Sequence, residues 1–519
     1  MAALGGGGAT TPATQGPLPV ARPRILDLYR ALWDRAAGIA AAYRLALATE
    51  VGLIAAWLVV RTIFGAEGLP YLAWTAAVAA VGLVSPASGL VVLVAIAPFD
   101  EPAAVSDILG ARHLLVWVLG VSVALRVAAD RRSLPWSPPL LLAGGVALGT
   151  ALGVVYGFRH FDAVFATVSA RNWVAGVGGG IVVLFVAAWC ARRGQLRPLY
   201  VAVATATLGA LVSLADWFAP ALLRDSVLAW LLSPKRFPTR LSGIIGSPNA
   251  VEALLIGPTA LLTCLALLGR QWRWRVAAAL ALLPLLAALY YTFSRAALVG
   301  IWLALVFAAW RIRRAFGAGL LAVGIVVAVL LMPGYLELRG ESINQQSARP
   351  DRYYVASDVA RFRAWGSAFR MWLDRPLTGR GFRSYKLLGD RYGDRRLNSP
   401  HNEWLRLFAE EGVVVGVVGL GFGLTTLVWL ARVKGWLGTG LLAAFAGWAI
   451  AATFNNPFLF IQVSLVAFTL AGTGLALAVR APPEPAPDGS AQAREAKPGG
   501  PLGRGDDDPP GEDGGQAEQ

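Results

Sequence analysis

From about residue 45 to residue 480 the chain repeats one pattern, an apolar run long enough to cross a membrane followed by a short polar break. A hydrocarbon core about 30 Å thick takes roughly 20 apolar residues per helix, and a chain with many such runs has few other ways to fold. Composition agrees: 56% of the 519 residues are hydrophobic and only 15% charged, against about 25% charged in soluble domains. The fold class expected is all-α, a polytopic transmembrane bundle of about 12–14 helices with one long, partly helical external loop. The runs fall near 45–65, 70–85, 86–99, 112–129, 138–157, 172–190, 198–219, 248–269, 276–293, 295–310, 315–333, 407–431, 436–454 and 457–479.

Five regions follow: an N-terminal segment 1–44, a membrane region 45–334, a large loop 335–402, C-terminal membrane helices 403–480 and a tail 481–519. Residues 1–20 are rich in Gly, Pro and Thr and lack the marks of a cleaved secretory signal, so the first membrane helix is expected to serve as an uncleaved one. The tail is rich in Pro, Gly and acid and is expected to be disordered. Cys190 and Cys264 sit in apolar runs and offer neither a disulfide framework nor a cysteine metal site. The net charge of +15 is spread over short basic clusters between apolar runs, a pattern of topology signals and not of nucleic-acid binding.

Those clusters set an orientation. Arg24, Arg30 and Arg35; Arg131 and Arg132; Arg192, Arg193 and Arg197; Arg270, Arg273 and Arg275; Arg311, Arg313 and Arg314; and Arg432 with Lys434 occupy alternate connections. The positive-inside rule turns all of them, and both termini, to the cytoplasm. Segments 66–70, 100–111, 158–171, 220–247, the Ser294 corner, 335–402 and 455–456 then face outward. The outward loop 335–402 is itself basic, which loops longer than about 60 residues tolerate. Its arginines need another reason.

Candidate chemistry collects on that outward side. In SPHNEWLRLFAEEGVVVG, Ser399 can cap a helix, Pro400 suits its first position, and His401 and Asn402 fall in its first turn. A helix N-terminus favours a neutral imidazole, the form a proton acceptor needs. Trp404, Leu405, Leu407 and Phe408 can dock this segment on the bundle, leaving Glu410 and Glu411 in the wet interface. The plain alternative is that His401 is an interfacial cap residue, the description that fits His113 and His160. Arginine supplies the context: Arg361, Arg363, Arg370, Arg375, Arg380, Arg383, Arg391, Arg395 and Arg396 lie in the loop, and Arg240 and Arg295 each stand at the mouth of a membrane helix. A guanidinium fork matches phosphate oxygens. Solvation, lipid headgroups or snorkelling are the structural alternatives for each.

Four segments resemble the O-antigen ligase and polymerase superfamily, membrane glycosyltransferases that move glycans from a polyprenyl diphosphate carrier. TRLSGIIGSPNA is similar to its arginine, glycine and Pro-Asn element through Arg240, Gly243, Pro248 and Asn249. YTFSRAALVG resembles its Ser-Arg corner through Ser294 and Arg295. RFRAWGSAFRMWLDRPLTGRGFRSY resembles the stretch matched by Arg361, Trp365, Pro376, Leu377, Gly379 and Gly381, and HNEWLRLFAEEGVVVG the signature matched by His401, Asn402 and Gly412. Val415 stands where the ligases often carry Gly, Thr or Tyr, so ligase and polymerase both stay open.

The resemblance covers about residues 235–430 and implies a GT-C type bundle in a bacterial inner membrane, with its site on the external loop. It implies a polyprenyl (undecaprenyl) diphosphate-linked glycan donor, a glycan, lipid A core or protein acceptor, and neither metal nor cofactor. The matching histidine is essential in such enzymes and the matching arginines engage the diphosphate. Here His401, Arg295 and Arg240 become the catalytic candidates, with Arg361, Asn402, Asn249, Ser294, Gly379 and Gly381 as substrate-binding ones. Two other classes remain. A transporter or flippase of lipid-linked glycans would use intramembrane charges, for which Glu50, Arg126, Asp216 and Glu252 are the candidates. A non-catalytic scaffold would need none of the motifs.

Overall fold

A computed structural model of the chain describes residues 25–65, 68–99, 111–131, 134–232, 240–344, 350–393 and 398–480. The disorder expected of residues 1–20 and of the tail, and the roles considered for Arg24, Arg132, Arg395 and Arg396, lie outside these residues.

The described residues contain helices and no strand. In order they are α1 (Ile25–Phe64), α2 (Gly68–Val84), α3 (Pro86–Ile96), α4 (Ala111–Ala129), α5 (Pro138–His160), α6 (Ala163–Asn172), α7 (Gly178–Arg192), α8 (Arg197–Phe218) and α9 (Pro220–Arg224). They continue as α10 (Pro248–Leu268), α11 (Trp272–Tyr291), α12 (Arg295–Ile312), α13 (Arg314–Asn344), α14 (Pro350–Asp374), α15 (Tyr385–Leu388), α16 (Glu403–Leu430), α17 (Gly435–Ala452) and α18 (Ile461–Arg480). Lipid offers the backbone no hydrogen-bond partner, so each apolar run satisfies its own amides by coiling. Among the described residues ten helices are long and apolar enough to cross a membrane, and four shorter apolar ones accompany them. The all-α polytopic bundle expected from the apolar runs is therefore what the chain forms.

Helix α18 lies almost wholly inside the bundle and packs along α7. The contact is close because Gly472 has no side chain: a Cβ there would stand 2.2 Å from the Leu184 carbonyl oxygen. Small residues let membrane helices approach in this way, gaining dispersion contacts where no hydrophobic effect separates lipid from protein. Helix α10 is likewise buried and is pinned to α17 by a hydrogen bond from the Trp448 indole to the Ala253 carbonyl, 2.6 Å.

Two ends of the bundle can be told apart. At one, Arg311 at the close of α12 donates to the Val433 carbonyl between α16 and α17, 2.7 Å, drawing two of the basic clusters together. The other end carries the connections α11–α12 and α17–α18 and the segment leading into α16. One connection differs from expectation. Segment 158–171 is not an open loop, because the Asp162 carboxylate caps α6 by accepting from the Phe165 amide at 2.8 Å. The chain then passes through a π-turn at Trp173–Val177 into α7.

Candidate functional site

The segment before α10 lies along the corner between α11 and α12. The Leu241 amide donates to the Tyr291 carbonyl at 2.8 Å. Arg240, half-buried, donates through Nε to the Thr292 carbonyl at 2.7 Å and through Nη2 to Asn249 Oδ1 at 3.0 Å. The corner is tight: Phe293 has φ of 49° and is buried, and Ser294 is the N-cap residue of α12, with Arg295 its first residue. Four of the residues singled out from sequence, Arg240, Asn249, Ser294 and Arg295, thus belong to one corner although about 55 residues separate the first from the last.

His401 lies across α17–α18 from that corner, and its local structure departs from expectation. The N-cap of α16 is Asn402, whose side chain accepts from the Leu405 amide at 2.9 Å, so the helix begins at Glu403 and His401 stands outside it. Ser399 does not cap α16: its hydroxyl donates to the Asn456 side-chain amide oxygen and accepts from the His401 amide instead of from a helical one. Freed from the helix, His401 takes a left-handed backbone, φ 50°, and its amide donates to Ser399 Oγ at 3.3 Å. A non-glycine residue held there costs energy, and such strain gathers at functional sites.

The link between the two halves is Asn455–Asn456. Asn455 donates to Glu252 Oε1 at 2.6 Å, one turn along α10 from Asn249. Asn456 donates to Glu403 Oε2 at 3.1 Å and meets Ser399. Arg361, half-buried on α14, lies one turn before Trp365, whose ring is 6.2 Å from that of Phe454, the residue preceding Asn455.

Glu410 and Glu411, expected in the wet interface, are buried. Arg406 explains the first: it donates to Glu403 Oε1 at 2.5 Å and to Glu410 Oε2 at 2.7 Å, a three-charge cluster on one face of α16. Glu410 also accepts from the Arg383 amide at 2.9 Å and the Tyr385 amide at 3.3 Å, which seats the external loop on the helix. Burial pushes the Arg383 guanidinium below its usual range, with Glu410 opposing and Arg406 adding to the shift. Glu411 lies against Gly153 of α5, where a Cβ would come within 2.0 Å of its carboxylate.

The motif glycines sit at the same place. Gly412 interrupts α16 with φ 81° and ψ 178°, and the amide beyond it, that of Val413, donates to the Pro376 carbonyl at 2.7 Å. The Glu410 carbonyl, released from the helix, accepts from the Arg380 and Gly381 amides at 2.9 and 2.7 Å. Gly379 and Gly381 therefore fold the Pro-Leu-Thr-Gly-Arg-Gly turn into the break, about 15 Å along α16 from Asn402. Several loop arginines are already engaged: Arg370 holds the Tyr392 carbonyl and Arg380 pairs with Asp374 within the loop, while Arg375 reaches Tyr156 Oη of α5 at 3.1 Å.

The charges considered for transport are held in local contacts. Glu50 meets Arg197 at 2.7 Å, Asp216 takes Arg224 through both oxygens at 2.6 and 2.9 Å, and Arg126 binds the last carbonyls of α2. A groove of about 950 Å³ between α8 and α11 is lined mainly by aliphatic side chains and reaches Arg270 and Gln271, away from this site. Among the described residues no group of three or more His, Cys, Asp or Glu side chains could hold a metal ion.

No curated protein matches the chain. Residues 279–420 match the family described as O-antigen ligase, a segment that takes in the Ser294–Arg295 corner, the external loop, His401 and the Gly412 break. Arg240 and Asn249 lie before that segment, and their hydrogen bonds tie them to it at Thr292. The match supports the likeness read in the motifs: the chain is an all-α polytopic bundle whose residues 279–420 are similar to the O-antigen ligase family.

Proposed function

We propose that the protein transfers a glycan from a polyprenyl diphosphate carrier to an acceptor hydroxyl at the outer face of a bacterial inner membrane, with both of its termini in the cytoplasm. The observation that carries this reading is the single family segment containing both the Ser294–Arg295 corner and His401, with Arg240 bonded into the same corner. The donor's lipid tail belongs among the helices and its diphosphate at their mouth. Arg240 and Arg295 hold that diphosphate and stabilise the charge that grows on it as the carbon–oxygen bond breaks, the work a metal ion does in other transferases.

His401 takes the proton of the acceptor hydroxyl as its oxygen attacks the anomeric carbon, a contribution of about 10²–10⁴ in rate. One direct displacement inverts that carbon. Arg361, carried by α14 one turn before the Trp365 that meets Phe454, faces the acceptor, which is a growing glycan, a lipid A core or a protein. Gly379 and Gly381 serve the site by shaping the turn that supports α16.

The deciding experiment is transfer by purified protein given lipid-linked donor and acceptor, which a transporter or a scaffold cannot carry out. His401→Ala is expected to lower the rate by about 10²–10⁴ without loss of folded protein, and unchanged transfer would remove the base. Arg295→Lys keeps the charge and loses the planar fork, with donor affinity expected to fall by about 10- to 100-fold. Full affinity in the lysine protein would mean that charge alone matters there.

A further inference from the structure

Three consecutive hydrogen bonds run from the buried charge cluster of α16 to the backbone of His401, and their polarity is fixed. Arg406 donates to Glu403 Oε1 at 2.5 Å and keeps that carboxylate an acceptor. The amide nitrogen of Asn456 must then be the group facing Glu403 Oε2, at 3.1 Å. That choice turns the amide oxygen toward Ser399, whose hydroxyl donates its only proton there and is left to accept from the His401 amide at 3.3 Å. Which end of an asparagine is nitrogen is ordinarily an assignment. Here an acceptor-only neighbour decides it.

The residue next to Asn456 performs the other half of the task. Asn455 donates to Glu252 on α10, one turn in from Asn249 and so from the Arg240 corner. Both asparagines, Glu252, Glu403 and Arg406 are buried, where a hydrogen bond is little weakened by water and a broken one is costly.

We infer that Ser399, Asn456 and Glu403 are positioning residues that hold His401 in its left-handed turn, with Asn455 fixing that turn relative to the Arg240–Arg295 corner. The inference rests on the reading of His401 as the base. None of the four needs to touch substrate. They act by keeping the imidazole at one distance from a diphosphate held on the far side of α17–α18, and a displacement of an ångström at such a group costs about 100-fold in rate.

The test uses the full-length protein in lipid nanodiscs, with hydrogen–deuterium exchange across residues 398–408 and transfer kinetics read together. Asn456→Ala is expected to raise exchange in that segment and to lower kcat by about 10- to 100-fold while donor KM changes less than about twofold. Asn456→Asp, which sets a carboxylate against Glu403, is expected to do at least as much. Ser399→Ala follows Asn456→Ala, and Ser399→Thr, which keeps the hydroxyl, restores transfer. In the His401→Ala protein, Asn456→Ala lowers transfer no further, because the group it positions is gone.

Unchanged exchange in Asn456→Ala overturns the inference, as does an equal loss of transfer with or without His401. If His401→Ala alone transfers normally, the base reading fails, and exchange across 398–408 still decides whether the turn is held by Asn456.

Discussion

Two arginines at the same end of the bundle are handled in opposite ways. Arg406 is 1% exposed and lies between two carboxylates, Glu403 and Glu410, so its charge is matched within α16. Arg240 is half-buried, and two of the bonds that orient it go to a backbone carbonyl and an amide oxygen, neither of which carries a charge. A guanidinium clamped by carboxylates is a fastener. Neutral acceptors steer a guanidinium without opposing its field, and beside lipid that field is weakly screened. The difference teaches that being an arginine near a membrane surface says little, and that the partners which orient it say much more.

The comparison is broken most directly at Arg406. Arg406→Met fits the apolar surroundings but leaves Glu403 and Glu410 buried without their cation, a change expected to cost about 3–5 kcal/mol of stability. Thermal unfolding in detergent should show it as a sharp loss of melting temperature and of folded yield. Arg240→Met should leave the melt nearly in place. Equal losses in the two proteins would mean that Arg240 is a fastener too.

A smaller effect is expected at the turn that covers the Arg406 cluster. In Gly379→Ala the new methyl would stand 2.2 Å from the Glu410 carbonyl oxygen, at a backbone φ of 64° that alanine disfavours. Strain and overlap together should cost about 2–3 kcal/mol, seen as a lower melting temperature with donor KM unchanged. A change in KM without a change in melting would move Gly379 from the support of α16 into the binding surface.

Much of this was readable from sequence because local chemistry dictated it. Twenty-residue apolar runs have one outcome in lipid, and the Ser294–Arg295 corner is announced by polar residues breaking such a run. The Glu403, Arg406, Glu410 cluster carried a usable signal: spacings of three and four place alternating charges on one helical face. The wet interface expected for Glu410 is not found because what covers that residue, the turn at Pro376–Gly381 and the amides of Arg383 and Tyr385, arrives from more than 20 residues upstream. The expected start of α16 differs from the observed one for a similar reason. Ser399 and Asn402 are equally good caps locally, and Ser399, bonded to Asn456 more than 50 residues on, accepts from the His401 amide instead. Asn455 and Asn456 showed in sequence only as a polar pair between two membrane helices, their partners on α10 and α16 being set by packing.

The smallest change sharpens the contrast most. Asn249→Asp replaces one oxygen-bearing group by another of nearly the same shape, so Arg240 keeps its two bonds, and the one at 3.0 Å becomes an ion pair. The Arg240 corner thereby gains a carboxylate of the kind that holds Arg406. Stability should hold or rise slightly, since a half-buried pair contributes at most about 1 kcal/mol. Donor affinity should fall by about tenfold, near 1.4 kcal/mol, because the diphosphate now competes with a carboxylate for the same guanidinium and is repelled by it. Asn249→Ala is the control that loses the bond without adding charge, and it should weaken donor binding less. If the aspartate and alanine proteins bind donor alike, the orientation of Arg240 by Asn249 matters and an added carboxylate does not; if the aspartate protein alone is impaired, donor binding depends on a neutral partner at position 249.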